Sequence, residues 1–156
     1  AYEIRLSLVG SEMCIRDSGG TYSGNPLACV AAIEAIKMVN DPAFLARANE
    51  IGDRMRDHLL RMQANSPLIG DVRGLGPMLL IEFVKDRATK EPALNETPLI
   101  VTEALKHGVM TIRAGLYSNC LRFLPPLNIT DEQLDEGMNV IAEAIRVVEG
   151  QLLPQA

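Results

Sequence analysis

Residues 19–36 read GGTYSGNPLACVAAIEAI and carry most of the information in this chain. Two glycines precede Thr21, and Asn25-Pro26 then opens an alanine-rich segment that predicts a helix to about Asn40. Asn is a favoured N-cap, and Pro fits the first helical position because its missing N–H would have no intrahelical partner there. Free N–H groups at such a start can hold an anion, so the stretch is compatible with a phosphate site that includes the Thr21 hydroxyl. The same composition also occurs in ordinary loops.

Two longer helices are predicted from the spacing of apolar residues. Asp41-Pro42 repeats the cap and the proline, and a helix is expected from there to about Ala64. Its apolar stripe consists of Phe44, Ala48, Ile51, Met55, Leu59 and Met62. Thr130-x-x-Gln133 is a capping box that predicts the start of a last helix. The expected buried face of this last helix consists of Leu134, Met138, Ile141, Ile145 and Val148.

The middle of the chain predicts short strands around one further helix. The expected elements are strands at 72–76, 78–84, 109–113 and 120–123, a helix at 99–107 that Gly108 ends, and a polar surface loop at 86–98. The first two strands join at Gly74-Leu75-Gly76, since glycine adopts positive φ without strain. The order of elements predicts an α+β, two-layer domain, with helices packed on one side of a small, mainly antiparallel sheet.

Composition and charge exclude several classes of function. The chain has 156 residues, 47% of them hydrophobic, and its net charge of −5 is built from interspersed signs, which argues against nucleic-acid binding. No apolar run approaches the length of a membrane span. Cys14, Cys29 and Cys120 lack the paired spacing of a metal site, and we expect buried thiols in a reducing cytoplasm. His58 and His107 have no ligand partners at helical spacing and are interpreted as solvated residues.

Arg122 is the main candidate for binding chemistry. It alternates with Leu121 and Phe123 on a predicted strand, so it faces away from both apolar neighbours. A guanidinium can bind a carboxylate through two parallel hydrogen bonds. The alternative is an ordinary surface arginine. Arg73 is interpreted as a structural arginine that bonds nearby carbonyls, and Glu82 as a possible ion-pair partner of an arginine across the sheet.

Three segments together resemble one protein family. Residues 19–36 resemble the segment of the class III, fold-type I aminotransferases that crosses from the large domain into the C-terminal domain. Residues 69–78, IGDVRGLGPM, resemble the family's paired strands with an Arg-Gly-x-Gly turn. Residues 119–127, NCLRFLPPL, resemble its strand with the arginine that binds substrate carboxylate. The resemblance runs from residue 19 to about 149 and is strongest to the 4-aminobutyrate aminotransferases.

The resemblance implies a fold, a cofactor and a reaction. The fold would be the C-terminal small domain of a fold-type I transferase that depends on pyridoxal 5'-phosphate (PLP). Gly20 and Thr21 would contact the cofactor phosphate, usually that of the neighbouring subunit in a homodimer. Arg122 would bind the carboxylate of the amino acid or 2-oxo acid. The complete enzyme would transfer the amino group of 4-aminobutyrate to 2-oxoglutarate in the cytoplasm, with no nucleic-acid or membrane partner.

The resemblance also implies that the chain is a fragment. Residues 1–18 resemble a translated sequencing adapter and are expected to be non-native, 19–40 to link from the PLP domain, and 41–156 to form the C-terminal domain. The family's catalytic lysine lies upstream of the Gly-Thr pair, whereas the first lysine here, Lys37, follows it. No catalytic residue is therefore assigned, and the chain alone is expected to be inactive.

Two alternatives remain open. The chain belongs either to a 4-aminobutyrate enzyme or to another class III enzyme that acts on ornithine, acetylornithine, β-alanine or a diamine, with a related mutase as a further possibility. The other alternative, outside the aminotransferases, is that the chain is a non-catalytic α+β binding or dimerisation module. Thr21 and Arg122 would then be ordinary surface residues.

Overall fold

The computed structural model describes residues 24–152, in which helices alternate with short strands. The elements in chain order are α1 (Pro26–Val39), α2 (Pro42–Asn65), β1 (Ile69–Leu75), β2 (Met78–Asp86), β3 (Glu91–Pro92), α3 (Glu96–Lys106), β4 (Ile112–Ala114), β5 (Cys120–Phe123) and α4 (Asp131–Leu152). Within this part of the chain every strand pairing is antiparallel: the sheet runs β1-β2-β5-β4, and β3 pairs with β2. The predicted α+β architecture, with helices on a small antiparallel sheet, is confirmed.

The chain divides into two compact units between Leu45 and Ala46. The first contains α1 and the start of α2, and the second contains the sheet with the other helices. The domain boundaries expected after residues 18 and 40 stay predictions, and residues 1–18 lie outside the described part of the chain. Among the described helices, none is long and apolar enough to cross a membrane.

The hydrophobic core lies between one face of the sheet and the helices of the second unit. Alternate residues of β2, namely Leu79, Ile81 and Phe83, are fully buried. Burying each such side chain contributes about 1.5–3 kcal/mol relative to exposure. The predicted face of α4 is buried in full, and the α2 stripe is buried from Ala48 to Met62, with Phe44 half-buried at its start. The capping box is also confirmed, since the Gln133 N–H donates to Thr130 Oγ1 and the Thr130 N–H donates to Gln133 Oε1.

Several element boundaries differ from the sequence prediction. Strand β1 begins at Ile69 rather than at residue 72, and β2 ends at Asp86 rather than at residue 84. The expected surface loop at 86–98 contains strand β3 and the buried residues Ala93 and Thr97. Helix α3 begins at Glu96 rather than at residue 99, because Pro98 occupies its first turn, where a missing N–H breaks no helical hydrogen bond. Strand β4 begins at Ile112 rather than at residue 109. The N–H of Val109 instead donates to Ala104 O, and Gly108 has a φ of +85°, so both residues belong to the cap of α3.

The turn between β1 and β2 sits directly against α2. Gly74 and Gly76 have φ values of +138° and +51°, as the predicted glycine turn requires. Gly52 of α2 faces this turn so closely that an added Cβ would lie 2.6 Å from Gly76 O. A glycine in the middle of α2 therefore allows the helix backbone to contact the hairpin backbone.

An ion-pair network joins α2 to α4. Arg47 donates to Asp131 at 2.7 Å, and Arg54 Nε donates to Asp135 Oδ1 at 2.7 Å. His58 Nε2 lies 2.9 Å from Asp135 Oδ1, so the interpretation of His58 as a solvated residue was wrong. The Arg54 guanidinium, and after it the His58 imidazole, holds the pKa of the Asp135 carboxyl far below its usual value. The acidic residues at the start of α4 thus pair with the neighbouring helix as well as with the helix dipole.

We expect Gly52→Ala to destabilise the second unit, because the new Cβ would clash with backbone atoms that cannot rotate away. Overpacking of this kind costs about 1–3 kcal/mol, against a gain of about 0.5–1 kcal/mol from helix propensity. Gly137→Ala in α4 is the matched control, since no atom lies within 4 Å of its added Cβ apart from its own stretch of helix backbone. Urea unfolding should show a loss of stability for the first variant and a gain for the second; equal gains would contradict the close contact.

We expect the stability of the chain to fall in acid, partly through Asp135. Its pKa is lowered by folding, so its ion pairs stabilise the fold above the unfolded pKa of about 3.9 and lose that contribution as the pH falls towards the folded pKa. Asp135→Asn should therefore lower the urea midpoint more at pH 7 than at pH 3. Asp53→Asn, at a position with no ion pair among the described residues, should leave both midpoints unchanged. An equal effect of Asp135→Asn at the two pH values would refute this role.

Candidate functional site

The face of the sheet opposite the hydrophobic core, here called the open face, carries the candidate site. The strand register arranges its side chains in two rows across β1, β2, β5 and β4. The first row is Arg73, Leu80, Arg122 and Ile112, and the second is Asp71, Glu82, Cys120 and Ala114. The open face therefore combines two arginines and two carboxylates with apolar neighbours.

Arg73 is held by the two carboxylates of the open face. Its Nη1 donates to Asp71 Oδ2 at 2.7 Å and to Glu82 Oε2 at 2.6 Å. These two carboxylates, Asp71 first, raise the pKa of the Arg73 guanidinium above its usual value. The interpretation of Glu82 as an ion-pair partner across the sheet is therefore supported. Arg73 is structural as expected, but it bonds carboxylates rather than carbonyls.

Arg122 differs from Arg73 in having no partner within the described part of the chain. Its side chain is exposed, and residues 24–152 offer it neither a hydrogen bond nor an ion pair. The side chains opposite it in the register, Leu80 on β2 and Ile112 on β4, are apolar. An arginine in such surroundings is suited to an external carboxylate.

Asn119 fixes the start of β5, the strand that carries Arg122. Its side-chain amide is buried and donates to Phe83 O at 2.8 Å, while the Phe83 N–H donates to Asn119 O at 2.8 Å. These two bonds set the register of β5 against β2, and with it the position of Arg122 three residues later. The sequence alone does not predict this anchor, because the partner of the Asn119 amide lies 36 residues away in the chain.

The two cysteines of the described region lie in different environments. Cys120 is buried on the open face, and this burial raises the pKa of its thiol, so it is a poor nucleophile. Cys29 is exposed on α1, which corrects the expectation that both would be buried thiols. Cys14 lies outside the described residues. Between residues 24 and 152, no group of three or more His, Cys, Asp or Glu side chains is placed to hold a metal ion.

The start of α1 does not have the free N–H groups that its sequence suggested for an anion. Asn25 Oδ1 accepts from the N–H groups of Leu27 and Ala28, and Asn25 O accepts from Cys29. Pro26 has no N–H to offer. The first turn is thus satisfied by its own N-cap, and a phosphate contact from this part of the chain would depend on Gly20 and Thr21. Both of those residues lie outside the described residues.

Comparison with known proteins identifies the family. A family model described as aminotransferase class-III matches residues 3–145. The 4-aminobutyrate aminotransferase of Escherichia coli (strain K12) is 42% identical over 125 residues, which is 80% of this chain and 29% of that protein. The 5-aminovalerate aminotransferase of Pseudomonas aeruginosa is 40% identical over 125 residues, which is again 80% of this chain and 29% of that protein.

A solved structure extends this similarity to the fold. The omega transaminase of Pseudomonas jessenii, in complex with PMP, has a TM-score of 0.77 at 25% identity, over 93% of this chain and 32% of that one. The chain therefore belongs to the class III aminotransferases, and its structural neighbours are transaminases. It spans 29% of the length of the two relatives from Escherichia coli and Pseudomonas aeruginosa.

Proposed function

We propose that this chain forms the C-terminal part of a PLP-dependent ω-aminotransferase that transfers the amino group of 4-aminobutyrate to 2-oxoglutarate. The observation that carries this proposal is Arg122 on the open face, which has no partner among residues 24–152, in a chain of the class III family. The similarity to a 4-aminobutyrate aminotransferase over four fifths of this chain supports the choice of donor. The complete enzyme would be a cytoplasmic homodimer.

The role of Arg122 in this proposal is to hold the carboxylate of the amino acid or 2-oxo acid. The planar guanidinium offers two parallel N–H donors to a carboxylate, which fixes the orientation of the ligand as well as its position. Its apolar neighbours Leu80 and Ile112 offer no competing polar contact. Substrate binding by Arg122 therefore requires no rearrangement of the ion pairs on the sheet.

The cofactor would be PLP, contacted through its phosphate by Gly20 and Thr21. PLP, when bound, supplies an electron sink for the carbon that bears the amino group. The satisfied N-cap of α1 leaves the phosphate contact to these two loop residues. The lysine that the chemistry requires is expected in the larger part of the complete enzyme, since Lys37 is on the exposed α1 and pairs with Glu34. We propose that the chain alone does not catalyse transamination.

A second donor is favoured by one specific observation. The 5-aminovalerate aminotransferase of Pseudomonas aeruginosa is almost as similar to this chain as the 4-aminobutyrate enzyme is. The two donors differ by one methylene group, which in an apolar pocket changes kcat/KM by about 10–200-fold. Comparison of kcat/KM for the two donors in the complete enzyme distinguishes the two assignments.

The exposed surface of α1 argues against an independent binding module. No residue of this helix is buried, and its large apolar side chains are half to four fifths exposed. They are Leu27, Val30, Ile33, Ile36, Met38 and Val39. Contiguous apolar surface of this kind marks a region that another part of a protein covers. We propose that the rest of the complete enzyme covers α1.

We expect Arg122→Gln in the complete enzyme to raise the KM for 2-oxoglutarate by about 10–100-fold, because a charge-assisted contact contributes about 1.5–3 kcal/mol. The dissociation constant of the unreactive dicarboxylate glutarate should rise by the same factor. Arg113→Gln is the matched control, since Arg113 lies on the neighbouring strand opposite Leu121, on the other face of the sheet. An unchanged KM for Arg122→Gln, or an equal effect of both variants, would refute the role of Arg122.

We expect the isolated chain to self-associate through α1, as measured by light scattering after gel filtration. Replacement of Ile33 and Ile36 together by Gln should reduce the self-association, because it makes adjacent positions of the apolar surface polar. Leu60→Gln, at an exposed leucine of α2, should have little effect. A monodisperse monomer for the unaltered chain would instead favour the independent binding module.

A further inference from the structure

Glu82 lies between the two arginines of the open face. In the register of the sheet, Glu82 is opposite Asp71 on β1 and Cys120 on β5. Arg73 lies two residues after Asp71, and Arg122 lies two residues after Cys120, on the same face of the sheet. Both arginines are therefore diagonal neighbours of Glu82. Diagonal neighbours are about 7–8 Å apart, which is within reach of long side chains. Glu82 is therefore placed to pair with either arginine.

The structure pairs Glu82 with Arg73 alone. Arg73 Nη1 lies 2.6 Å from Glu82 and 2.7 Å from Asp71, which is two residues away on the same strand and the same face. Asp71 thus holds the Arg73 guanidinium where Glu82 can bind it. Arg122 keeps no partner among the described residues, although a carboxylate lies one diagonal step away.

We propose that Arg73 is a positioning residue that keeps Glu82 away from Arg122, so that Arg122 stays available to the carboxylate of a dicarboxylate ligand. This inference rests on the role proposed above for Arg122. It assigns to the Arg73 ion pairs an effect on ligand affinity as well as on the stability of the sheet.

The charges of the open face explain why Arg73 is needed. Two arginines and two carboxylates, Asp71 and Glu82, balance each other when Arg73 is present. Without Arg73, the face would carry two carboxylates and the single cation Arg122. Glu82 would then compete directly with the ligand, and the excess negative charge would repel a dicarboxylate. Both effects weaken binding. Repulsion depends only on the net charge of the face, whereas competition requires Glu82 itself.

The test measures dicarboxylate affinity in the complete enzyme, as the dissociation constant of glutarate and as the KM for 2-oxoglutarate. Partly exposed ion pairs of this kind contribute little each, so Arg73→Met should weaken affinity by about two- to fivefold. Arg73→Lys, which keeps the charge, should retain most of the affinity.

Two double variants separate competition by Glu82 from a general charge effect. Arg73→Met with Glu82→Gln should restore the affinity, because the competing carboxylate is gone. Arg73→Met with Asp71→Asn has the same net charge but should stay weak, because Asp71 is separated from Arg122 by β2. Thermal unfolding of all variants identifies any loss of fold, and the restored affinity of the first double variant is the readout that a purely structural role would not give.

Every outcome decides the question. Restoration by Glu82→Gln and not by Asp71→Asn supports the proposal. The proposal is overturned if Arg73→Met leaves the affinity unchanged. It is also overturned if Glu82→Gln and Asp71→Asn restore the affinity equally, or if neither restores it. Arg122→Gln, assayed alongside, separates this inference from the proposed function: if that variant binds glutarate normally, the role of Arg122 itself is wrong.

Discussion

The antiparallel register of β2 is the constraint on which the rest of the structure depends. Because side chains alternate along a strand, Leu79, Ile81 and Phe83 enter the core while Leu80 and Glu82 enter the open face. A slip of one residue would exchange the two sets and bury a carboxylate in the core. The buried amide of Asn119 prevents such a slip at β5, since it binds the backbone of Phe83 directly.

The same register places the charged side chains of the sheet on the open face. It places Arg73 between two carboxylates and leaves Arg122 beside apolar neighbours, so two arginines in the same row of one surface lie in different environments. Ion pairs of partly exposed residues contribute little to stability, which is consistent with a role in arranging charge. Within residues 24–152, the fold thus neutralises Arg73 and leaves Arg122 without a charged partner, which is the arrangement on which the proposed role of Arg122 rests.

The sequence predicted local features well and long-range ones poorly. The apolar spacing of α2 and α4, the capping box at Thr130 and the strand of Arg122 depend on neighbouring residues, and each was found. The anchoring of Asn119 and the pairing of His58 with Asp135 join residues far apart in the chain, and neither was predicted. The N-cap of α1 was predicted correctly. However, Asn25 accepts hydrogen bonds from the N–H groups that a phosphate would need, and the sequence analysis did not predict this. The roles of Gly20 and Thr21 stay predictions.

The most direct measurement is a crystal structure of the complete enzyme with glutarate bound. Glutarate is a dicarboxylate that cannot react, so its position reports recognition alone. We predict that a carboxylate of glutarate pairs with the Arg122 guanidinium, with Arg73 still bonded to Asp71 and Glu82. Glutarate bound away from Arg122, or Arg122 paired with Glu82 while the ligand is present, would contradict it.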